Sequence, residues 1–313
     1  MFWILILYAL FASVFTISKT GLEHTQPLFF IGSRMLLAGI ILLVYQWFKK
    51  PEAFQFKQFP WKKLVALGAF NIYLTNAFEF WGLQHLTSFK TCFIYGLSPF
   101  ISALFSYFIF SESMTGKKWI GLLLGFCGFL PILLTDTPQE EQAGHFFLFS
   151  WPELSVMMAA ICSVYGWILL RQLVKDEGCT PFLANGFSMF IGGFFALTHS
   201  RFVENWDPIP VHGSYITFAE CSILLITISS IICYNLYGSL LKRYSATLIS
   251  FAGFTTPLFT ALFGWIYLGE VVTWPFYLSA VMVFAGLFVF YQQELQRDYY
   301  KQQELVIEGD NNV

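Results

Sequence analysis

Residues 98–129, SPFISALFSYFIFSESMTGKKWIGLLLGFCGF, return without a gap 158 residues later as 256–287, TPLFTALFGWIYLGEVVTWPFYLSAVMVFAGL. Pro99 falls on Pro257, Ala103-Leu104-Phe105 on Ala261-Leu262-Phe263, and Glu112 on Glu270. Thr115 falls on Thr273 and Gly128 on Gly286, while Ser98 and Ser102 meet Thr256 and Thr260. A fainter echo, at an offset of 154, joins Pro27, Met35 and Gly39 to Pro181, Met189 and Gly193. The chain reads as two copies of one unit.

Composition says in which solvent that unit folds. Of 313 residues, 57% are hydrophobic, 38 are Phe and only 12% are charged, against about 25% charged in a soluble domain. A membrane-spanning helix takes about 20 apolar residues and no fewer than about 17. Runs of that order predict helices near 2–18, 27–48, 64–82, 88–110, 118–134, 154–170, 181–198, 215–241, 245–268 and 273–291. The first run has no basic n-region, so it reads as a retained helix and not as a cleaved signal. The expected fold is an all-α integral membrane protein of ten transmembrane helices. Residues 1–134 and 154–291 are the two five-helix repeats, 135–153 an outer linker and 292–313 a polar cytoplasmic tail.

Lysine and arginine set the orientation. With residue 1 inside, thirteen fall in or beside inner segments (49, 50, 57, 62, 63, 117, 118, 171, 175, 242, 243, 297 and 301) and two, Lys19 and Arg201, fall outside. Cytoplasmic loops carry the basic excess, so both termini are expected in the cytoplasm. Five spans per repeat is an odd number, so the second copy inserts upside down. Inverted repeats are the mark of secondary transporters, because a unit and its inverted copy can exchange conformations at similar energy.

The pattern of Pro99 and Glu112 with Gly121, Gly125 and Gly128, then Pro257 and Glu270 with Gly286, resembles the EamA family of the drug/metabolite transporter superfamily. The resemblance covers roughly residues 2–291; the second copy departs from it in lacking the small residues that match Gly121 and Gly125. It implies a carrier working by alternating access. The opening YALFASVFTISKTGLEHTQPLFFIGSRMLLAG (8–39) and the aromatic loading are similar to the branch of that family carrying S-adenosylmethionine. That likeness implies uptake across a bacterial inner membrane, with exchange for S-adenosylhomocysteine as one driving mode. An exporter of amino acids or small hydrophobic compounds is the alternative. An integral membrane enzyme ranks lower, since it would need His, Asp or Glu clustered at one membrane face.

Candidate ligand groups are the polar residues inside the spans. Asn71, Thr75, Asn76 and Glu79 share an arc of the third predicted helix, and Lys90, Thr91, Tyr95, Ser98 and Ser102 an arc of the fourth. Polar stripes in lipid-immersed helices face a bundle interior or a water-filled cavity. Glu79 and Lys90 lie level across a tight turn, so a pair could form. It would either meet the two ends of a zwitterion or simply pin the hairpin, with Lys90 snorkelling outward. Tyr234 and Tyr237, with Asn235 beside them, could stack on a purine or face a sulfonium, although ring packing in so Phe-rich a bundle is as good a reading of either tyrosine. Arg34 is a candidate for a ligand carboxylate, for snorkelling or for pairing with Glu23, and Asn185 for a helix-to-helix hydrogen bond. Pro99 and Pro257 are expected to kink mid-membrane and serve as hinges. Glu112 and Glu270 read as structural, holding the loops that follow them. Gly121 and Gly125 permit a close helix contact, within one chain or in a homodimer.

The six cysteines include no CxxC and read as small buried hydrophobes. The five histidines read as ordinary loop polarity. No Walker-type phosphate loop, HExxH or GxSxG occurs. The expected partners are a small-molecule substrate and the lipid bilayer. Neither a cofactor, nor a metal, nor nucleic acid is expected.

Overall fold

The computed structural model describes residues 2–54, 60–110, 115–135, 138–240, 249, 252–290 and 292. Among the described residues, apart from one hairpin with two residues per strand, the regular structure is helical. That follows from the solvent: in hydrocarbon each backbone polar group needs a partner, and a helix supplies them within its own segment. Seven described helical segments are long and apolar enough to cross a membrane: 3–22, 27–49, 88–105, 116–133, 151–175, 181–203 and 215–240. Residues 253–268 and 274–290 are shorter apolar helices. The chain is a multi-pass membrane protein.

In order, α1 is Phe2–Leu22 and α2 is Pro27–Lys49. Then α3 (Trp61–Leu67) runs through a π-helical stretch, Gly68–Leu74, into α4 (Thr75–His85). Next come α5 (Ser88–Tyr95), α6 (Ser98–Phe110) and α7 (Gly116–Leu133). A short α8 (Pro138–Ala143) and the hairpin of β1 (His145–Phe146) with β2 (Phe149–Ser150) lead into α9 (Trp151–Lys175). Then come α10 (Pro181–Val203) and α11 (Tyr215–Leu225), which passes through a second π-helical stretch, Ile226–Cys233, into α12 (Tyr234–Leu240). A 3₁₀ turn, Gly253–Thr255, precedes α13 (Thr256–Phe263), and residues 274–290 form α14.

The sequence marks several of these starts. Proline stands in the first turn of α2, α9 and α10, where a missing N–H costs nothing. Ser150 caps α9 in a reciprocal box with Glu153, and Thr180 caps α10. A capping interaction also comes from far along the chain: Glu204 accepts the Leu28 and Phe29 amides at the start of α2, at 2.6 and 2.8 Å.

Close packing relies on glycine at a few crossings. α2 lies along α10, with Gly32 against Leu197, Gly39 against Phe190 and Gly186 against Leu43. The numbers rise on one helix as they fall on the other, so the pair is antiparallel. α7 meets α14 in the same sense, Gly121 against Phe290 and Gly128 against Val283. The GxxxG is thus occupied within the chain: Gly121 faces Gly286 and Phe290 of α14, and Gly125 faces Phe100. Aromatic rings fill the core around these helices, Phe93, Phe100, Phe129, Phe276 and Phe290 forming one cluster with α5, α6, α7 and α14.

The bundle has two chemically different ends. Lys49, Lys63, Lys117, Arg171 and Lys175 gather at one, called here the basic end. The opposite end carries residues 138–153, and these are more than a linker: α8 and the hairpin fold back onto α9. The mid-helix proline kinks take another form. Each proline is at the first turn of a new helix, and the break precedes it, at Gly96–Leu97 before Pro99 and at Gly253–Thr255 before Pro257. A ring without an N–H starts a helix more cheaply than it bends one. Glu112, the basic residues 242 and 243, and the tail from 293 lie outside the described residues.

Candidate functional site

Between α1, α4, α5, α6, α9 and the α12–α13 region lies a central cavity of about 520 Å³, within the ~300–1,000 Å³ usual for small-molecule sites. Its inner wall is buried: Arg34, Thr75, Asn76, Glu79 and Cys92. Its other extreme is open, formed by the exposed Arg171, Lys175 and Asp176 at the end of α9. The cavity therefore runs from mid-bundle to the basic end. Both helix breaks line it, Gly96, Ser98 and Pro99 on one side and Gly253, Thr256 and Pro257 on the other. Irregular backbone at membrane depth is tolerated where it borders such a cavity.

Glu79 keeps a polar partner at the buried wall: the Tyr95 hydroxyl donates to its Oε2 at 2.7 Å. Arg34 is 2% exposed and neither snorkels nor pairs with Glu23. One guanidinium nitrogen, Nη2, donates to Asn76 Oδ1 at 2.7 Å, and Asn76 in turn donates to the Ile72 carbonyl at 2.8 Å. The guanidinium carbon lies 4.9 Å from the Phe80 ring centroid and 5.9 Å from that of Phe30. Nε and Nη1 have no hydrogen-bond partner. A buried donor left unmade costs about 1–3 kcal/mol, more on a charged group. The fold carries that cost in a residue that borders the cavity.

Glu79 and Lys90, which could have paired, do not. Lys90 Nζ turns away from the cavity to Glu140 Oε1 at 2.6 Å, Glu153 Oε1 at 2.9 Å and the Thr135 carbonyl at 3.0 Å. Two fully buried carboxylates outbid one on the neighbouring helix, and both belong to the segment read as a linker. Beside this cluster Glu270 accepts the Ser88 amide and hydroxyl at 2.8 and 2.6 Å, lies 3.5 Å from Lys19 Nζ, and so caps α5 from a distant element. Lys19 also donates to the Leu86 carbonyl. These contacts close the bundle at the end opposite the basic one. Glu270 is structural, as expected, but it ties α5 and α1 together instead of holding its own loop.

Other candidates divide cleanly. Thr75, Asn76, Tyr95, Tyr234 and Tyr237 line the cavity. Asn71 does not; its side chain is wedged against Gly166 on α9. Asn235 does not either: its Oδ1 accepts from Asn185 Nδ2 at 3.1 Å, the helix-to-helix bond expected of Asn185. The helix expected near 154–170 is α9, but no residue on it was expected at the site. Ser163, Trp167 and Arg171 recur every four residues down one face of it and all line the cavity. Trp167 sits 4.2 Å from Tyr237 and 5.2 Å from Tyr234 between ring centroids, completing an aromatic wall. That spacing was visible in the sequence, masked by the apolar residues around it.

A multi-pass helical bundle around a cavity that has a buried charged wall and one exposed end is the architecture of a small-molecule carrier. The chain matches the EamA-like transporter family over residues 1–134 and 150–292, and it belongs to that family. It is 38% identical over 291 residues to the S-adenosylmethionine/S-adenosylhomocysteine transporter of Chlamydia muridarum, covering 93% of this chain and 91% of that one. The protein of the same name from Chlamydia trachomatis serovar L2 is 37% identical, at 93% and 88% coverage. A chloroplastic WAT1-related protein of Arabidopsis thaliana is 28% identical over 80% of this chain and 60% of its own. A solved crystal structure superposes with a TM-score of 0.61 over 92% of this chain and 93% of its own, at 15% identity, a likeness of fold. The protein is a transporter and not an enzyme.

Proposed function

We propose that this chain carries S-adenosylmethionine across a bacterial inner membrane, exchanging it for S-adenosylhomocysteine by alternating access. The observation that carries the reading is Arg34, buried beside the cavity with two guanidinium nitrogens unpartnered, in the same wall as Glu79. Arg34 takes the amino-acid carboxylate in a two-bond clasp and Glu79 the ammonium. Trp167, Tyr234 and Tyr237 take the adenine by stacking, worth about 1–3 kcal/mol per base. Relatives of that printed name at 37–38% identity support the substrate.

The architecture is ten spans in two inverted five-helix repeats. Three features support it. Sequence-matched α2 and α10 pack antiparallel, as do α7 and α14. Of the three described π-helical stretches, two begin at Gly68 and Ile226, residues separated by the 158-residue repeat offset, while the third, Gly264–Leu268, matches plain α-helix at 106–110. The helix breaks fall at matching places before Pro99 and Pro257. By the positive-inside rule the basic end faces the cytoplasm, with both termini. The described state is then inward-open, sealed outside by Lys90, Glu140, Glu153, Lys19 and Glu270. Pro99 and Pro257 mark the hinges on which the repeats rock. Asn71, Asn235 and Lys90 support the fold around the site and do not touch the ligand.

A plain amino acid would also satisfy Arg34 and Glu79, and this is the second reading. Uptake of labelled S-adenosylmethionine by cells expressing the chain, with unlabelled competitors, separates the two. S-adenosylhomocysteine is expected to compete strongly and methionine weakly. Glu79→Gln is expected to abolish uptake while the protein still reaches the membrane. Equal competition by methionine would replace the substrate, and full uptake by Glu79→Gln would remove that residue from the site.

A further inference from the structure

The cavity's open end carries fixed charge that the ligand clasp does not use. Arg171, Lys175 and Asp176 line it, are exposed, and have no ion-pair partner among the described residues. Nearby Lys63 and Glu177 neutralise each other at 2.5 Å. At the buried wall Glu79 and Arg34 cancel in charge. A ligand passing between the site and the basic end therefore crosses a rim whose described residues carry two cations and one anion. Arg171 and Lys175 are four residues apart, on the helix face that continues inward to Trp167 and Ser163.

We propose that Arg171 and Lys175 are specificity-determining residues: they form a charge filter that hinders a sulfonium-bearing ligand at the basic end and passes the corresponding thioether. The proposal rests on the reading that this cavity carries S-adenosylmethionine and S-adenosylhomocysteine. Both ligands carry the same ammonium, carboxylate and adenosine, so their interactions with the rim largely cancel in a ratio. What remains is the methyl group and the single positive charge on sulfur. A unit charge facing a net unit charge at roughly 7 Å is disfavoured by a factor of a few in water, and by more between low-dielectric walls. The filter acts on rates: from the basic side the spent thioether enters faster than the sulfonium, while the two concentration gradients set the net direction of exchange.

The test is the ratio of association rate constants of labelled S-adenosylmethionine and labelled S-adenosylhomocysteine to the full chain in nanodiscs, at 20 and 300 mM NaCl. For the wild type the ratio is expected below one and rising about threefold with salt, since screening at the higher salt cuts the range of the field to a few ångströms. Arg171→Gln combined with Lys175→Gln should raise the low-salt ratio about fivefold and reverse its salt dependence, because Asp176 then dominates. Asp176→Asn should lower the ratio further, an opposite shift that loss of packing would not produce. A ratio indifferent to salt and to these variants overturns the filter while leaving the substrate standing. Failure of both ligands to bind overturns the substrate reading and the filter with it.

Discussion

Arg34 and Lys90 are two cations inside one bundle, and their surroundings give them different work. Lys90 is fully compensated: two buried carboxylates and a carbonyl meet its ammonium. Arg34 has one amide oxygen, two ring faces and two idle nitrogens. The difference predicts opposite phenotypes. Arg34→Met should raise KM for S-adenosylmethionine by roughly 10- to 100-fold, the loss of a charge-assisted clasp worth about 1.5–3 kcal/mol. It should leave competition by the decarboxylated analogue unchanged. Lys90→Met should leave KM alone but strand two buried acids, a break worth about 3–5 kcal/mol, and lower the melting temperature by several degrees. A raised KM in Lys90→Met with unaltered melting would return Lys90 to the ligand. The stripe argument found Glu79, Thr75, Asn76 and Tyr95 because periodicity reports which side of a helix is polar. It could not find the partners of Lys90, which are 50 and 63 residues away in a segment whose six-residue helix has no periodicity to read.

Helices were the most legible feature, because an apolar run of membrane length admits few other structures. Where they break was less so. Proline drew attention to positions 99 and 257, yet the discontinuities lie two to four residues earlier, at Gly96–Leu97 and Gly253–Thr255. The π-helical stretches left no trace in composition. Thr75 explains one of them locally: its hydroxyl donates to the Phe70 carbonyl at 2.7 Å, satisfying an oxygen within the wider turn. The glycine pairs were legible as close contacts but not as to partner. An ideal Cβ on Gly121 would sit 2.6 Å from the Phe290 amide nitrogen and 2.8 Å from the Gly286 carbonyl. Backbone cannot step aside as a side chain can, so Gly121→Leu should separate α7 from α14 and sharply reduce the monodisperse fraction after solubilisation. Gly116, with nothing within 4 Å, should accept alanine without loss. A well-behaved Gly121→Leu protein would mean that the α7–α14 contact is dispensable.

On the proposed inverted-repeat reading, the duplication would let one chain present two faces in turn. Matched helices α2 and α10, and α7 and α14, sit antiparallel against each other, so a motion that opened one end of the first unit would close the equivalent end of the second. The end opposite the basic one is held shut by contacts from four distant stretches: Lys19, Ser88, the acids at 140 and 153, and Glu270. The proposed alternating access requires these to part once per cycle. A Cβ built on Gly264 falls 2.8 Å from the Ser88 hydroxyl, which puts the two positions within reach of a disulfide, whose Cβ atoms lie about 3.5–4.5 Å apart. Glu270, which also approaches Gly264, reaches it with the tip of a side chain that can rotate away. Ser88→Cys combined with Gly264→Cys should therefore cross-link under mild oxidant, stop exchange in proteoliposomes, and recover when a reductant is added. Each single variant should be indifferent to the same oxidant, which controls for the six native thiols. Binding to the cross-linked protein should persist, because the cavity stays open at the basic end. Full exchange by the oxidised double variant would mean that this seal does not move, and that the ligand leaves the cavity by another route.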